Sequence, residues 1–239
     1  MGQVSEYGVN VKAVIFDLDG TLIDTEKYYR ICWPLAAEKA GYHMTDEQAL
    51  SLRSLGRPYA KERFREMFGA ECDYEGIRTY RRQLMEECLE KNGIELKPGA
   101  TELLAFLRSK NIVTALATAT DLKRATRYLQ KIGLYDYFDR IICAEMVEHG
   151  KPAPDIYQYA CKQLGFAPGE CLAVEDSPNG AKSAAAAGCN VVYVPDQTPP
   201  EEELAPILFA CKEKLLDIRE IIHTQKPKEF CRCMEDFLT

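Results

Sequence analysis

The sequence predicts an α/β protein: a Rossmann-like parallel sheet with an α-helical cap inserted after its first strand. Three observations predict it. Short, almost continuously apolar runs such as Val11-Lys-Ala-Val-Ile-Phe16 read as strands buried on both faces. From about residue 97 such runs alternate with helical patterns, which implies parallel strands covered by helices on both faces. Between about residues 27 and 92 no strand pattern interrupts the chain, so this stretch reads as a small helical bundle. The expected organisation is a core of residues 1–24 and 94–239, with residues 25–93 as the cap.

The first strand ends abruptly in Asp17-Leu-Asp-Gly-Thr21, where Gly20 permits a turn. Tyr28 to Ala40 reads as a helix broken at Gly41. Thr45-Asp-Glu-Gln48 has the spacing of a capping box and starts another. Gly56-Arg-Pro58 marks a turn, with Pro58 suited to the first turn of a helix reaching Phe68. Asp73 to Asn92 is a long amphipathic stretch, and Gly93 is its expected C-cap. The alternating part follows. Helices are expected at Pro98–Lys110, Asp121–Ile132, Pro154–Leu164 and Asn179–Ala187. Strands are expected at Ile112–Thr118, Arg140–Cys143, Cys171–Glu175 and Asn190–Val194. After Pro199-Pro200, Ile207–Cys211 is expected to add an edge strand and Lys212–Ile222 a helix, while the tail from Thr224 shows no pattern.

The chain has 239 residues, enough to bury a core without help from metal or disulfides. Its formal net charge of −7 argues against nucleic acid or an anionic membrane as partner, although a local basic site can still hold a small anion. The ten cysteines are scattered, several in apolar stretches (Cys143, Cys161, Cys171, Cys189), and read as free thiols. Cys231 and Cys233 have no second pair beside them, so no zinc site is expected. The opening residues carry no signal-peptide core, and Glu6 breaks the myristoylation pattern. No apolar run approaches the length of a membrane span. A cytoplasmic monomer or weak oligomer is expected.

In a doubly wound sheet, ligands bind beyond the carboxyl ends of the strands. Four polar clusters fall there: Asp17 with Asp19, Thr118-Ala119-Thr120, Lys151, and Glu175-Asp176. Crowded carboxylates repel one another unless a cation neutralises them. A set of oxygen ligands with one or two carboxylates suits Mg²⁺, which takes a substrate phosphate oxygen as a further ligand. A carboxylate can also attack phosphorus and form an aspartyl-phosphate. Lys151 can balance the charge of the phosphoryl group, and Thr118 and Ala119 can offer a hydroxyl and backbone N–H groups to it. Asp19, two residues on, can protonate the leaving oxygen and later deprotonate water.

Phe16-Asp-Leu-Asp-Gly-Thr21, Thr118, Lys151 in Gly150-Lys-Pro-Ala-Pro-Asp155, and Val174-Glu-Asp-Ser-Pro-Asn-Gly180 follow one another in the order of the motifs of the haloacid dehalogenase superfamily. The chain resembles that superfamily over residues 11 to 194, with the helical stretch where its cap is inserted. The resemblance implies Asp17 as nucleophile and Asp19 as general acid and base. It implies Mg²⁺ held by the Asp17 carboxylate, the Asp19 backbone carbonyl and Asp176, with Glu175 either a ligand or a neighbour of one. The nearer resemblance is to the β-phosphoglucomutase and sugar-phosphatase branch, where Arg57 falls at an arginine that holds a distal phosphate. Thr21 and Tyr29 depart from the mutase, which often has Val at the first position and has His at the second. A phosphatase acting on a small phosphorylated metabolite is therefore expected. A β-phosphoglucomutase-like isomerase and a non-catalytic phosphometabolite-binding protein are the alternatives, and a dehalogenase has no need of Asp19 or Asp176.

Outside these motifs the sequence suggests plainer roles. Trp33 and the Tyr28-Tyr29 pair read as core or cleft wall of the helical stretch. Arg78, Arg81 and Arg82 read as a solvated helix face. His43, His149 and His223 are too dispersed to suggest a catalytic triad.

Overall fold

The structure, a computed structural model, describes residues 10–224. Six parallel strands form one sheet in the order β3-β2-β1-β4-β5-β6: β1 Ala13–Phe16, β2 Val113–Thr118, β3 Arg140–Cys143, β4 Cys171–Glu175, β5 Asn190–Tyr193 and β6 Ala210–Cys211. The four residues of β1 are wholly buried, because this central strand is paired on both edges and covered on both faces. Pairing of Phe16 with Leu116 on one side and Val174 on the other sets the carboxyl ends of β1, β2 and β4 level. Asp17, Thr118 and Glu175 therefore emerge at one edge.

Between β1 and β2 the chain forms α1 (Glu26–Lys39), α2 (Asp46–Leu50), α3 (Tyr59–Phe68) and α4 (Tyr74–Asn92), followed by α5 (Ala100–Ser109). The Thr45–Gln48 capping box forms as the spacing predicts, and Gly93, at φ 81°, ends α4. The block α1–α4 has its own apolar cluster around Phe64, whose ring packs against Trp33, Phe68 and Tyr74. Two adjacent connections join it to the sheet. Asp24 donates its backbone N–H to Glu95 and Lys97 donates to Leu22, both at 2.9 Å. Remaining helices α6 (Leu122–Lys131), α7 (Asp155–Leu164), α8 (Pro178–Ala186) and α9 (Ile218–Thr224) cover the sheet.

The block touches the sheet edge again through its loops. Gly56 donates to the Lys151 carbonyl at 2.8 Å, and Gly150 donates to the Arg57 carbonyl at 2.7 Å. A Cβ on Gly56 would lie 2.5 Å from the Gly150 Cα, so glycine is required for this approach. Asn179 donates to the Arg53 carbonyl at 2.8 Å, and Arg53 donates to the Thr198 hydroxyl at 2.6 Å.

The last part of the described chain departs from expectation. Only Ala210 and Cys211 join the ladder, opposite Val192 and Tyr193. Residues Glu202–Ile207 instead form a 3₁₀ turn containing Pro206, which has no N–H to give a strand. The helix expected from Lys212 begins only at Ile218, after a 3₁₀ turn at Leu215–Asp217. Cys231, Cys233, the opening residues and most of the tail lie outside the described residues. The described cysteines are free thiols, with Cys161 and Cys189 Sγ atoms 3.6 Å apart. Among the described residues no helix is long and apolar enough to cross a membrane.

Candidate active site

A cleft of about 410 Å³ lies between the strand ends and the helical block. Its floor is acidic. Asp17 directly follows β1, and its backbone N–H is held by the Val174 carbonyl at 3.0 Å. Asp176 directly follows β4, and Glu175 is the last residue of that strand. Asp17, Glu175 and Asp176 are buried, and one carboxylate oxygen from each lies within 4.8 Å of the others. Lys151 is 1% exposed and reaches in from the loop after β3, donating at 2.5 Å to both Asp17 Oδ1 and Glu175 Oε1. The Tyr157 hydroxyl also donates to Glu175 Oε1, at 2.5 Å.

One ammonium cannot balance three buried carboxylates. Burial, opposed by Lys151 and reinforced by Glu175 and Asp176, pushes Asp17 well above the usual carboxylate range. Burial, with Glu175 and Asp196 beside it, pushes Asp176 up to about 8. Burial works against the charge on Lys151, yet Asp17 and Glu175 overcome it and raise its pKa. Among the described residues Asp17 Oδ2, Glu175 Oε2 and Asp176 Oδ2 are buried with no hydrogen-bond partner. Three orphaned hard oxygens and an excess of negative charge are what a divalent cation would satisfy, so the residues present fit Mg²⁺. Glu175 is already engaged by Lys151 and Tyr157 through Oε1, which suits it to hold Lys151 in place.

Asp19 is placed differently. Its Oδ1 accepts from the Thr25 hydroxyl at 2.7 Å and its Oδ2 from the Thr120 hydroxyl at 2.8 Å, while the side chain faces the cleft. It thus has a fixed orientation, and no ion pair among the described residues involves it. Thr118 is fully buried and its hydroxyl accepts the Thr120 N–H at 3.0 Å, so it shapes the turn from below; Ala119 and Thr120 line the cleft. Arg57 is exposed at the cleft lip.

A model of the haloacid dehalogenase-like hydrolase family matches residues 11–188. The chain belongs to the haloacid dehalogenase-like hydrolases. It is 32% identical over 187 residues to the phosphorylated carbohydrates phosphatase of Thermotoga maritima, a match covering 77% of this chain and 84% of that one. It is also 32% identical over 204 residues to hexitol phosphatase A of Escherichia coli, covering 84% and 92% of the two chains. Among solved structures, β-phosphoglucomutase from Clostridium difficile superposes with a TM-score of 0.74 at 25% identity, covering 89% of this chain and 97% of that one.

The structure also brings residues to this hydrolase's cleft that sequence reasoning missed. Glu26, buried at the start of α1, lines it, and burial together with Asp176 and Asp19 pushes its carboxyl well up. In sequence Tyr157 reads only as part of a helix, because nothing in a helical pattern signals a hydroxyl aimed at Glu175. The arginines of α4 are the main correction. Arg81 is not solvated: it is 7% exposed, with its guanidinium 4.3 Å from the Trp33 ring centroid and 4.9 Å from that of Tyr29. Arg78, Arg81 and Arg82 all line the cleft. The charged face of α4 points into a polar cavity between two structural units, which periodicity alone cannot distinguish from bulk water.

Proposed function

We propose that this hydrolase is a Mg²⁺-dependent phosphatase that acts on a small phosphorylated metabolite, such as a sugar phosphate, through an aspartyl-phosphate on Asp17. The observation that carries the reading is the asymmetry of Asp17: Lys151 holds Oδ1 at 2.5 Å, while Oδ2 is buried without a partner. A carboxylate held in one orientation by Lys151 is prepared for in-line attack, and its two oxygens let one meet the cation while the other meets phosphorus. Mg²⁺, held by Asp17, Asp176 and the Asp19 carbonyl, would supply charge stabilisation to the phosphoryl oxygens. Asp17 attacks phosphorus, and the bond from phosphorus to the ester oxygen breaks. Asp19 gives that oxygen a proton. Water then attacks the aspartyl-phosphate, Asp19 takes the water's proton, and phosphate leaves with Asp17 regenerated. Lys151 balances the phosphoryl charge, and Ala119, in the turn after β2, lines the cleft beside it. We take residues 25–93 as a cap that excludes bulk water during the first step.

The likeness to β-phosphoglucomutase supports one other reading, an isomerase in which a sugar hydroxyl rather than water takes the phosphoryl group. Mass balance decides: free phosphate released in step with substrate loss supports the phosphatase, and isomerised sugar phosphate without release supports the mutase.

Activity is expected to vanish in excess chelator and return with Mg²⁺. A thermal-melting test follows from the carboxyl pKa values. A carboxyl raised in the folded state binds a proton that the unfolded chain has released, so metal-free stability falls as pH rises towards about 8, the Asp176 value. Mg²⁺ replaces that proton, so its stabilising shift should be larger at pH 8 than at pH 6. An equal shift at both, or full activity in chelator, would count against the metal assignment.

Arg57 provides a test of the cap. Arg57→Ala is expected to reduce kcat/KM for the best metabolite about tenfold or more, and for p-nitrophenyl phosphate much less, because remote contacts are used for orientation and closure. Equal losses on both would make Arg57 structural, and no loss on either would make it a surface residue.

A further inference from the structure

The cleft carries a second charged feature on the wall opposite its acidic floor. Arg81 from α4 lies beside Arg78 and Arg82 of the same helix, and Arg124 of α6 lines the same wall. Among the described residues the carboxylates that pair with these arginines are few. Arg78 reaches Glu75 at 3.4 Å, and Asp121 serves both Arg124 at 2.8 Å and Arg82 at 3.6 Å. None of the ion pairs among the described residues involves Arg81. Among the described residues its Nε and Nη1 are buried without a hydrogen-bond partner, as are Arg82 Nε and Arg124 Nη1.

A buried guanidinium with unmet donors is costly in the free protein, and an anion would satisfy it. The Trp33 and Tyr29 rings also lie beside the Arg81 guanidinium, with centroids 4.3 and 4.9 Å away, and hold it in place while its buried Nε and Nη1 stay unmet. This wall is distinct from the site that handles the scissile phosphate, because Lys151 there is committed to Asp17 and Glu175. The two are nevertheless joined. Thr120, which donates to Asp19, precedes Asp121, which caps α6 and pairs with Arg124. Asp17, Asp19, Arg81 and Arg124 line one cleft of about 410 Å³, so a small metabolite can span both.

We propose that Arg81, flanked by Arg82 and Arg124, forms a second anion subsite, and that the preferred substrate carries a second anionic group, phosphate or carboxylate, remote from the phosphate attacked by Asp17. This rests on the phosphatase reading and narrows its substrate class. A site built from buried donors discriminates strongly against an analogue that lacks the matching group, since the donors are then left unpaired. Burial and the neighbouring Arg124 and Arg78 depress the Arg81 pKa, a penalty that a bound anion would relieve.

The test uses the full chain with Mg²⁺ and matched compounds: glucose 6-phosphate against glucose 1,6-bisphosphate, and glycerol 3-phosphate against 3-phosphoglycerate, with p-nitrophenyl phosphate as reference. Phosphate release gives kcat/KM for each. The doubly anionic member of at least one pair should be favoured by about tenfold or more, mainly through KM. The sugar pair reports a phosphate preference and the glycerol pair a carboxylate preference. Arg81→Met, which keeps the apolar stem against Trp33 but removes the charge, should bring that preference close to unity, and Arg81→Lys should restore part of it. Should Arg81→Met fail to fold, the wild-type preference still decides. Release from all compounds without preference for the second anion overturns this inference and leaves the phosphatase reading standing, as does a preference that survives Arg81→Met. Release from none of them, p-nitrophenyl phosphate included, overturns both.

Discussion

Asp17→Asn is expected to lower turnover by about four orders of magnitude or more on every substrate, while the folded structure persists. The amide has nearly the shape of the carboxylate, and its oxygen can still accept from Lys151 where Oδ1 does now. It cannot attack phosphorus, because its nitrogen lone pair is delocalised and its oxygen carries no full charge. Stability should hold, because the substitution removes one of three crowded buried carboxylates and leaves Lys151 paired with Glu175. Circular dichroism and thermal melting in the absence of metal check the fold, and phosphate release with Mg²⁺ checks turnover. Activity within tenfold of wild type on any substrate would exclude covalent catalysis by Asp17.

This expectation was legible in the sequence because its ingredients are local. Asp17 and Asp19 lie just past an apolar run, and a strand buried on both faces has only its end at which to place polar groups. The same holds for Glu175 at the end of β4 and Asp176 just past it. The alternation of strands and helices then fixes which ends meet. Arg81 was not legible for the complementary reason. Its surroundings are Trp33 and Tyr29, which stand on a different helix, and Arg124, which lies beyond β2. A charged stripe on α4 looks the same in sequence whether it meets water or a cleft wall. Glu26 and Tyr157 were hidden likewise: a carboxyl at a helix start is ordinary dipole chemistry, and a tyrosine on a helix face is ordinary core. From Glu202 onward the buried residues Leu204 and Leu215 sit on short 3₁₀ turns, which no regular periodicity marks, and pattern reading lengthened both β6 and the helix after it.

Lys151→Met should show the largest combined loss of stability and activity. Lys151 is buried, and its ammonium is shared by Asp17 and Glu175, with the Tyr157 ring centroid 5.3 Å away. Methionine can fill much of the space but leaves the carboxylates unpaired, which costs about 3–5 kcal/mol for a buried pair. The loss depends on pH in a definite direction. Without the ammonium the Asp17 pKa rises still further above the unfolded value, so the folded state holds protons that the unfolded chain gives up near pH 4. Stability is then retained in acid and lost as pH rises through the folded-state value, so the deficit against wild type should be small near pH 5 and grow as pH rises. Phosphate release should fall by about two to three orders of magnitude, since an oriented cation at a developing phosphoryl charge is removed. Adding Glu175→Gln to Lys151→Met separates the roles. The amide oxygen still accepts from Tyr157 and one uncompensated charge is gone, so the melting temperature at pH 8 should recover much of its loss. Activity should not recover, because the phosphoryl group still lacks its cation. A single variant that melts like wild type at pH 8 would show that the ammonium does not neutralise the cluster, and recovery of activity in the double variant would show that Lys151 acts only on stability.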